Sequence, residues 1–254
     1  MDYLSLTVFP SVTTLLLCAG VMLLAQGVYA LYGFGSGLLA VSLAALVLPD
    51  LTALVPLLLL VNLPTEAWVS WRDRRSISFR QAGWLLPGML LGLPIGTWLL
   101  RHMGDEPESI TVLGVVVLVF AAWLLWDSTR PALPSRSFPG PIGGLAGLVA
   151  GTVGAMFGTG GPPVILWFQL QGLGKTSFRA TLLSLFLVMS IGRLPSYAAV
   201  GLLTREVCIS ALMILPAGLL GMWVGQHLHI ELPERRFRQG VAVVLGVLGV
   251  LLAI

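Results

Sequence analysis

Apolar residues in this chain neither alternate with polar ones nor recur at every third or fourth position. They come in blocks, at about 11–32, 38–48, 51–69, 83–100, 110–126, 140–157, 162–171, 178–200, 207–228 and 237–254. Continuous blocks of this kind predict helices in a bilayer, where one crossing needs roughly 20 residues. Two blocks, 38–48 and 162–171, are too short to cross alone. Each follows a glycine cluster, Gly33-Phe34-Gly35-Ser36-Gly37 in one case and Gly158-Thr159-Gly160-Gly161 in the other. Either each short block continues the preceding helix as a broken crossing, or it folds back as a hairpin.

Charge decides between these, because Lys and Arg concentrate in cytoplasmic loops. With hairpins, one side collects Arg72, Arg74, Arg75, Arg80, Arg130, Arg136, Lys175, Arg179, Arg235, Arg236 and Arg238, eleven of the fourteen basic residues. The other side keeps Arg101 and Arg205, and Arg193 stays inside a block. With broken crossings the division is seven against six. Hairpins are therefore expected, with both termini extracytoplasmic and the two halves entering the membrane from opposite faces.

The halves also repeat each other. Phe34-Gly35-Ser36-Gly37 matches Phe157-Gly158-Thr159-Gly160, Asn62-Leu63-Pro64 matches Arg193-Leu194-Pro195, and Leu86-Pro87, Gly92 and Gly96 match Leu215-Pro216, Gly221 and Gly225, all in the same order. The expected fold is an all-α integral membrane protein of two inverted-topology repeats, each a glycine-broken helical hairpin plus three transmembrane helices. The first repeat covers 1–130, a cytoplasmic linker 131–139, and the second repeat 140–254. The spacing of Gly88, Gly92 and Gly96 is that of close helix packing.

Composition agrees: 57% of the residues are hydrophobic, 10% are charged and the mean hydropathy is +0.95, whereas soluble domains carry about 25% charged residues. The first block follows MDYLSLTVFPSVT, which lacks the basic start of a cleavable signal and so predicts a permanent span. The pI near 9.2 does not imply nucleic acid, since the basic residues sit in loops instead of on one aromatic-laced face. Cys18 and Cys208 have no partners at disulfide or ligand spacing and are expected to be small buried apolar residues. Gly172-Leu173-Gly174-Lys175-Thr176-Ser177 resembles the end of a phosphate loop, but position 169 is Gln where that loop needs Gly, so ATP is not implied. It reads as a cytoplasmic turn into the next helix. No metal or cofactor is expected.

A break exposed to lipid would strand backbone N–H and C=O groups, at several kcal/mol each. The glycine breaks must therefore face protein or a wet cavity. Glycine permits the reversal, and Pro162 with Pro163 suits the first turn of a new helix, whose positive end attracts anions.

The paired segments GFGSGLLAVSLAALVLP and GAMFGTGGPPVILWF are each followed by a helix entered through a short polar turn, Asp50-Leu51-Thr52 and Phe178-Arg179-Ala180-Thr181. Together they resemble the sulfite exporter TauE/SafE family of bacterial membrane permeases over essentially the whole chain. The resemblance implies transport of a small anion, commonly sulfite or an organosulfur compound, across the bacterial inner membrane. The first cluster lacks the Gly-Pro-Pro of the second, so the hairpins are not equivalent.

Ionisable groups at membrane depth are costly and usually functional. Arg193 stands about fifteen residues into its block, and its planar fork fits sulfite, sulfonate or carboxylate oxygens. Snorkelling, or pairing with Glu66, is the structural alternative. The repeat-mate of Arg193 is the neutral Asn62. Glu66 is a coupling candidate if buried, but its neighbours Trp68, Trp71 and Arg72 favour a headgroup-level carboxylate. Gln26, Gln169 and Tyr197 are expected to make helix–helix hydrogen bonds, and His102, His227 and His229 to be interfacial. The expected substrate contacts are Gly35, Ser36, Gly37, Asn62, Gly158, Thr159, Gly160, Gly161, Pro162 and Arg193. The expected function is a secondary transporter, coupled to H+ or Na+, with a passive anion channel as the alternative. No nucleophile–base pair argues for an enzyme, and a homo-oligomer is compatible with the sequence.

Overall fold

The computed structural model describes residues 6–32, 36–128, 140–227 and 234–254. Among the described residues the chain forms ten α-helices and no strand: α1 (Val12–Tyr32), α2 (Ser36–Ala45), α3 (Leu51–Arg72), α4 (Phe79–Met103), α5 (Pro107–Ser128), α6 (Gly140–Phe157), α7 (Gly161–Leu170), α8 (Lys175–Ala199), α9 (Arg205–His227) and α10 (Glu234–Ala253). Helix satisfies every backbone group within its own segment, which lipid requires. Seven helices, α1, α3, α4, α5, α6, α8 and α9, are long and apolar enough to cross a membrane. In α10 the apolar stretch is shorter, Gln239–Ala253. The linker expected at 131–139 lies outside the described residues.

Helices α2 and α7 have ten residues each, about 15 Å, or half of a hydrocarbon core of roughly 30 Å. Helix α7 folds back on α6: Gly160 lies beside Ala150, and Gly143 beside the Trp167 ring. Were α7 a straight continuation, residues 143 and 167 would stand about 36 Å apart. The reversal passes through Gly158, whose φ of +72° is a left-handed conformation that side chains disfavour. In the first half, α2 likewise packs on α1, although residues 33–35 of its break lie outside the described residues.

The halves exchange partners. Helix α4 packs chiefly on α6, α1 on α9, and α5 on α10. Glycines make the first two approaches possible. A Cβ at Gly88, Gly92 or Gly96 of α4 would overlap backbone of Gly144, Leu148 or Thr152 in α6. A Cβ at Gly221 or Gly225 of α9 would overlap backbone of Leu23 or Gly27 in α1. The close packing at Gly88, Gly92 and Gly96 is what their spacing predicts.

The outward faces carry exposed Leu, Val and Trp, as lipid contact requires. His102 and His227 are exposed near the ends of α4 and α9, each stacked on a tryptophan (Trp98 and Trp223) with ring centroids 4.7 Å apart. Helix ends are where interfacial residues are expected; His229 lies outside the described residues. Cys18 is buried as expected, but Cys208 is exposed.

Helices α3 and α8 pack on each other, with α9 against α3 and α4 against α8. Helix α3 starts sharply because the Asp50 carboxylate accepts from the backbone N–H groups of Thr52 (2.8 Å) and Ala53 (3.3 Å). The corresponding turn expected at 178–181 is instead inside α8, which begins at Lys175 after Gly174.

Candidate functional site

The first turn of α2 meets the second break. A Cβ on Gly37, in the first turn of α2, would lie 3.0 Å from the carbonyl oxygen of Gly158 in the second break. Between them, α3 and α8 bring Asn62 and Arg193 to a cavity that offers about 50 Å³ to the centres of water-sized spheres. That is room for roughly three to five waters, or one small oxyanion. Gly37, Asn62, Glu66, Gly158, Thr159, Gly160, Gly161, Pro162 and Arg193 all line it. Two of the expected contacts are not placed: Gly35 lies outside the described residues, and so does the Ser36 side chain.

Arg193 is 7% exposed, so it does not snorkel. Its Nη1 donates to the carbonyl of Gly154 at 3.0 Å, and its Nη2 to Ser190 Oγ at 2.9 Å. Its Nε is buried without a partner. Two arms of the fork thus hold the guanidinium between α8 and the last turn of α6, in a residue that lines the cavity. An ionised group at this depth is costly unless something compensates it.

Glu66 corrects the sequence reading. It is 5% exposed and faces the cavity, whereas its neighbours Trp68 and Trp71 are exposed. At 100° per residue, positions 68 and 71 point well away from 66, so an interface-like neighbourhood said nothing about the carboxylate. It is not paired directly with Arg193: Ser190 hydrogen-bonds the Glu66 side chain and accepts from Arg193, bridging the two.

Asn62 is positioned by α1, because its Oδ1 accepts from Gln26 Nε2. That leaves the Asn62 amide N–H groups for the cavity. Gln169 donates to Asp127 Oδ2 at 3.1 Å and Tyr197 to the carbonyl of Ala155 at 2.5 Å, so all three expected helix–helix bonds exist. At the start of α7 the cap is Gly160, with no side-chain hydrogen bond. Pro162 and Pro163 have no N–H, so Gly161 is the only amide donor among the first three helical positions.

Within the break the glycines differ. A Cβ on Gly160 would lie 2.5 Å from the carbonyl oxygen of Ala150, so this glycine is required for the hairpin itself. A Cβ on Gly161 would meet Ile165 and Phe186 at 3.6 Å, an ordinary contact with two cavity-lining side chains. Sequence reasoning missed Tyr29, Met89, Phe120, Phe186 and Met189 in the lining. The apolar four carry no signal in a chain this apolar; Ser190, one turn before Arg193, could have been found by helical spacing.

This is the architecture of a multi-pass membrane transporter built around a buried polar centre. The family model for sulfite exporter TauE/SafE matches residues 18–252, and the chain belongs to that family, whose members are transporters and not enzymes. It is 27% identical over 233 residues to the probable sulfite/organosulfonate exporter TauE of Cupriavidus necator, covering 88% of this chain and 90% of that one. It is 26% identical over 191 residues to the probable inner membrane transporter protein TsaS of Comamonas testosteroni, covering 74% and 78%. No solved structure matches.

Proposed function

We propose that this chain is a secondary transporter of a small sulfur-containing anion, sulfite or an organosulfonate, bound centrally by Arg193, Asn62, Gly37, Thr159 and the start of α7. The observation that carries this is the buried Arg193, in the lining of a small cavity where the first turn of α2 meets the second break. A charged fork supplies directed donors for an oxyanion, and low dielectric strengthens them. The names of the relatives support sulfur in the substrate. Partner exchange between α4–α6 and α1–α9 supports two inverted repeats, divided near 130–139, that rock against each other around the site. The charge asymmetry supports termini outside the cytoplasm of an inner-membrane protein. Transport then draws on an ion gradient and not on ATP.

The test is a thermal-shift screen of purified protein against sulfite, thiosulfate, taurine, sulfoacetate and carboxylate analogues, followed by flux in liposomes for those that bind. Binding of a sulfur oxyanion with saturable, ion-dependent flux is expected. Flux that does not saturate would make the protein a passive channel, and the absence of any anion binding would refute the site.

A further inference from the structure

The cavity contains a carboxyl group that an arriving anion would set at odds with its own counter-charge. Glu66 lines it on α3, one turn beyond Asn62, with Oε2 buried and unpartnered. Through Ser190 it shares Arg193, the cation proposed to hold the substrate. The other titratable groups around it are few. From α1, Tyr29 brings a buried hydroxyl with no partner. From α8, Arg179 interacts with Tyr29, but its Nη2 is committed to the carbonyl of Ala30 at 3.2 Å, and it does not line the cavity. The segments α2, α6, α7 and the second break contribute only glycines, Thr159, Pro162 and apolar residues to the lining.

Resting on the anion reading above, we infer that Glu66 is the proton carrier of this transporter: anion and proton occupy the cavity together, the anion on Arg193 and the proton on Glu66. With the cavity free of anion, one carboxylate faces one guanidinium across Ser190 and the pair is neutral. When an oxyanion takes the guanidinium, two negative charges share one positive charge between side chains that are almost fully buried. Burying an uncompensated charge is more costly than neutralising it. Glu66 therefore takes a proton from water on the side to which the site is open, forming an O–H bond. The unpartnered Oε2 is an atom that can carry it. The loaded site is neutral again, so a monovalent anion crosses with one proton. Release reverses the order: the anion leaves Arg193, the guanidinium again faces the carboxyl group, and the proton departs.

The full-length protein in detergent is titrated with methanesulfonate, which carries no proton near neutral pH, by calorimetry in two buffers of different ionisation enthalpy. This counts protons taken up per anion bound. The wild type should take up close to one over the range where Glu66 is otherwise ionised, with affinity falling toward about tenfold per pH unit as pH rises. In Glu66→Gln the number per bound anion should fall to near zero and the pH dependence should flatten, while Glu66→Asp should retain uptake. Wild-type binding without proton uptake, or with a requirement for Na+ in its place, overturns the inference even if no variant folds. Undiminished uptake in Glu66→Gln also overturns it, since the proton would then sit elsewhere. Failure of the wild type to bind either methanesulfonate or sulfite is a separate result: it removes the anion site, and the coupling with it.

Discussion

Replacing Arg193 by Lys keeps the positive charge and removes the fork. In the native structure one guanidinium serves three places: Gly154 O at 3.0 Å, Ser190 Oγ at 2.9 Å, and the lining of the cavity. A single ammonium nitrogen cannot stand in all three places. At least one hydrogen bond to the anion is lost, and one involving a charged group contributes about 1.5–3 kcal/mol. At 1.4 kcal/mol per factor of ten, affinity should fall by roughly 10- to 100-fold. Arg193→Gln should bind more weakly still, because the anion would then meet Glu66 with no cation in the cavity. The assay is calorimetric titration with sulfite, alongside the folded yield and thermal unfolding of each variant. Lower yield is expected too, since Gly154 O and Ser190 lose a donor. Unchanged affinity with lowered yield would refute the reasoning, and Arg193 would then hold the fold without reading the ligand. Combining Arg193→Gln with Glu66→Gln should recover part of the yield, because the pair is coupled through Ser190 and neither charge is then left alone.

Gly160→Ala should lower thermal stability by the equivalent of about 1–3 kcal/mol, because its Cβ meets the Ala150 carbonyl 2.5 Å away. Gly161→Ala should fold normally and bind larger anions less well than sulfite, since its Cβ meets Ile165 and Phe186 at 3.6 Å; loss of folding there would contradict the placement. Gly92→Ile and Gly221→Ile should reduce folded yield to a similar degree, as matched positions in exchanged helix pairs, and a strong effect from only one would argue against equivalent packing. A C-terminal reporter active only in the cytoplasm should be silent, and a strong signal from it would sink the inverted arrangement.

The sequence by itself was enough for the solvent and the all-helical class. Long apolar blocks leave the backbone no option in lipid except helix, so the number and approximate limits of the helices were legible. The two short blocks were legible as hairpins because the distribution of Lys and Arg favours folding back over a broken crossing. Gly88, Gly92 and Gly96 announced close packing by spacing alone, although not that their partner is α6 of the other half. What the sequence withheld was the rotation of each helix. In a soluble protein the polar face points outward and reveals the phase, but here lipid and core are both apolar, so a helix carries almost no polar stripe to read. Only packing turned Glu66 inward beside Ser190 and Arg193 while Trp68 and Trp71 turned out. Only packing aimed the Cβ position of Gly160 at α6 and that of Gly161 at two side chains of the cavity lining. The close approach of Gly37 in α2 to Gly158, more than 120 residues further on, is likewise decided by tertiary structure alone.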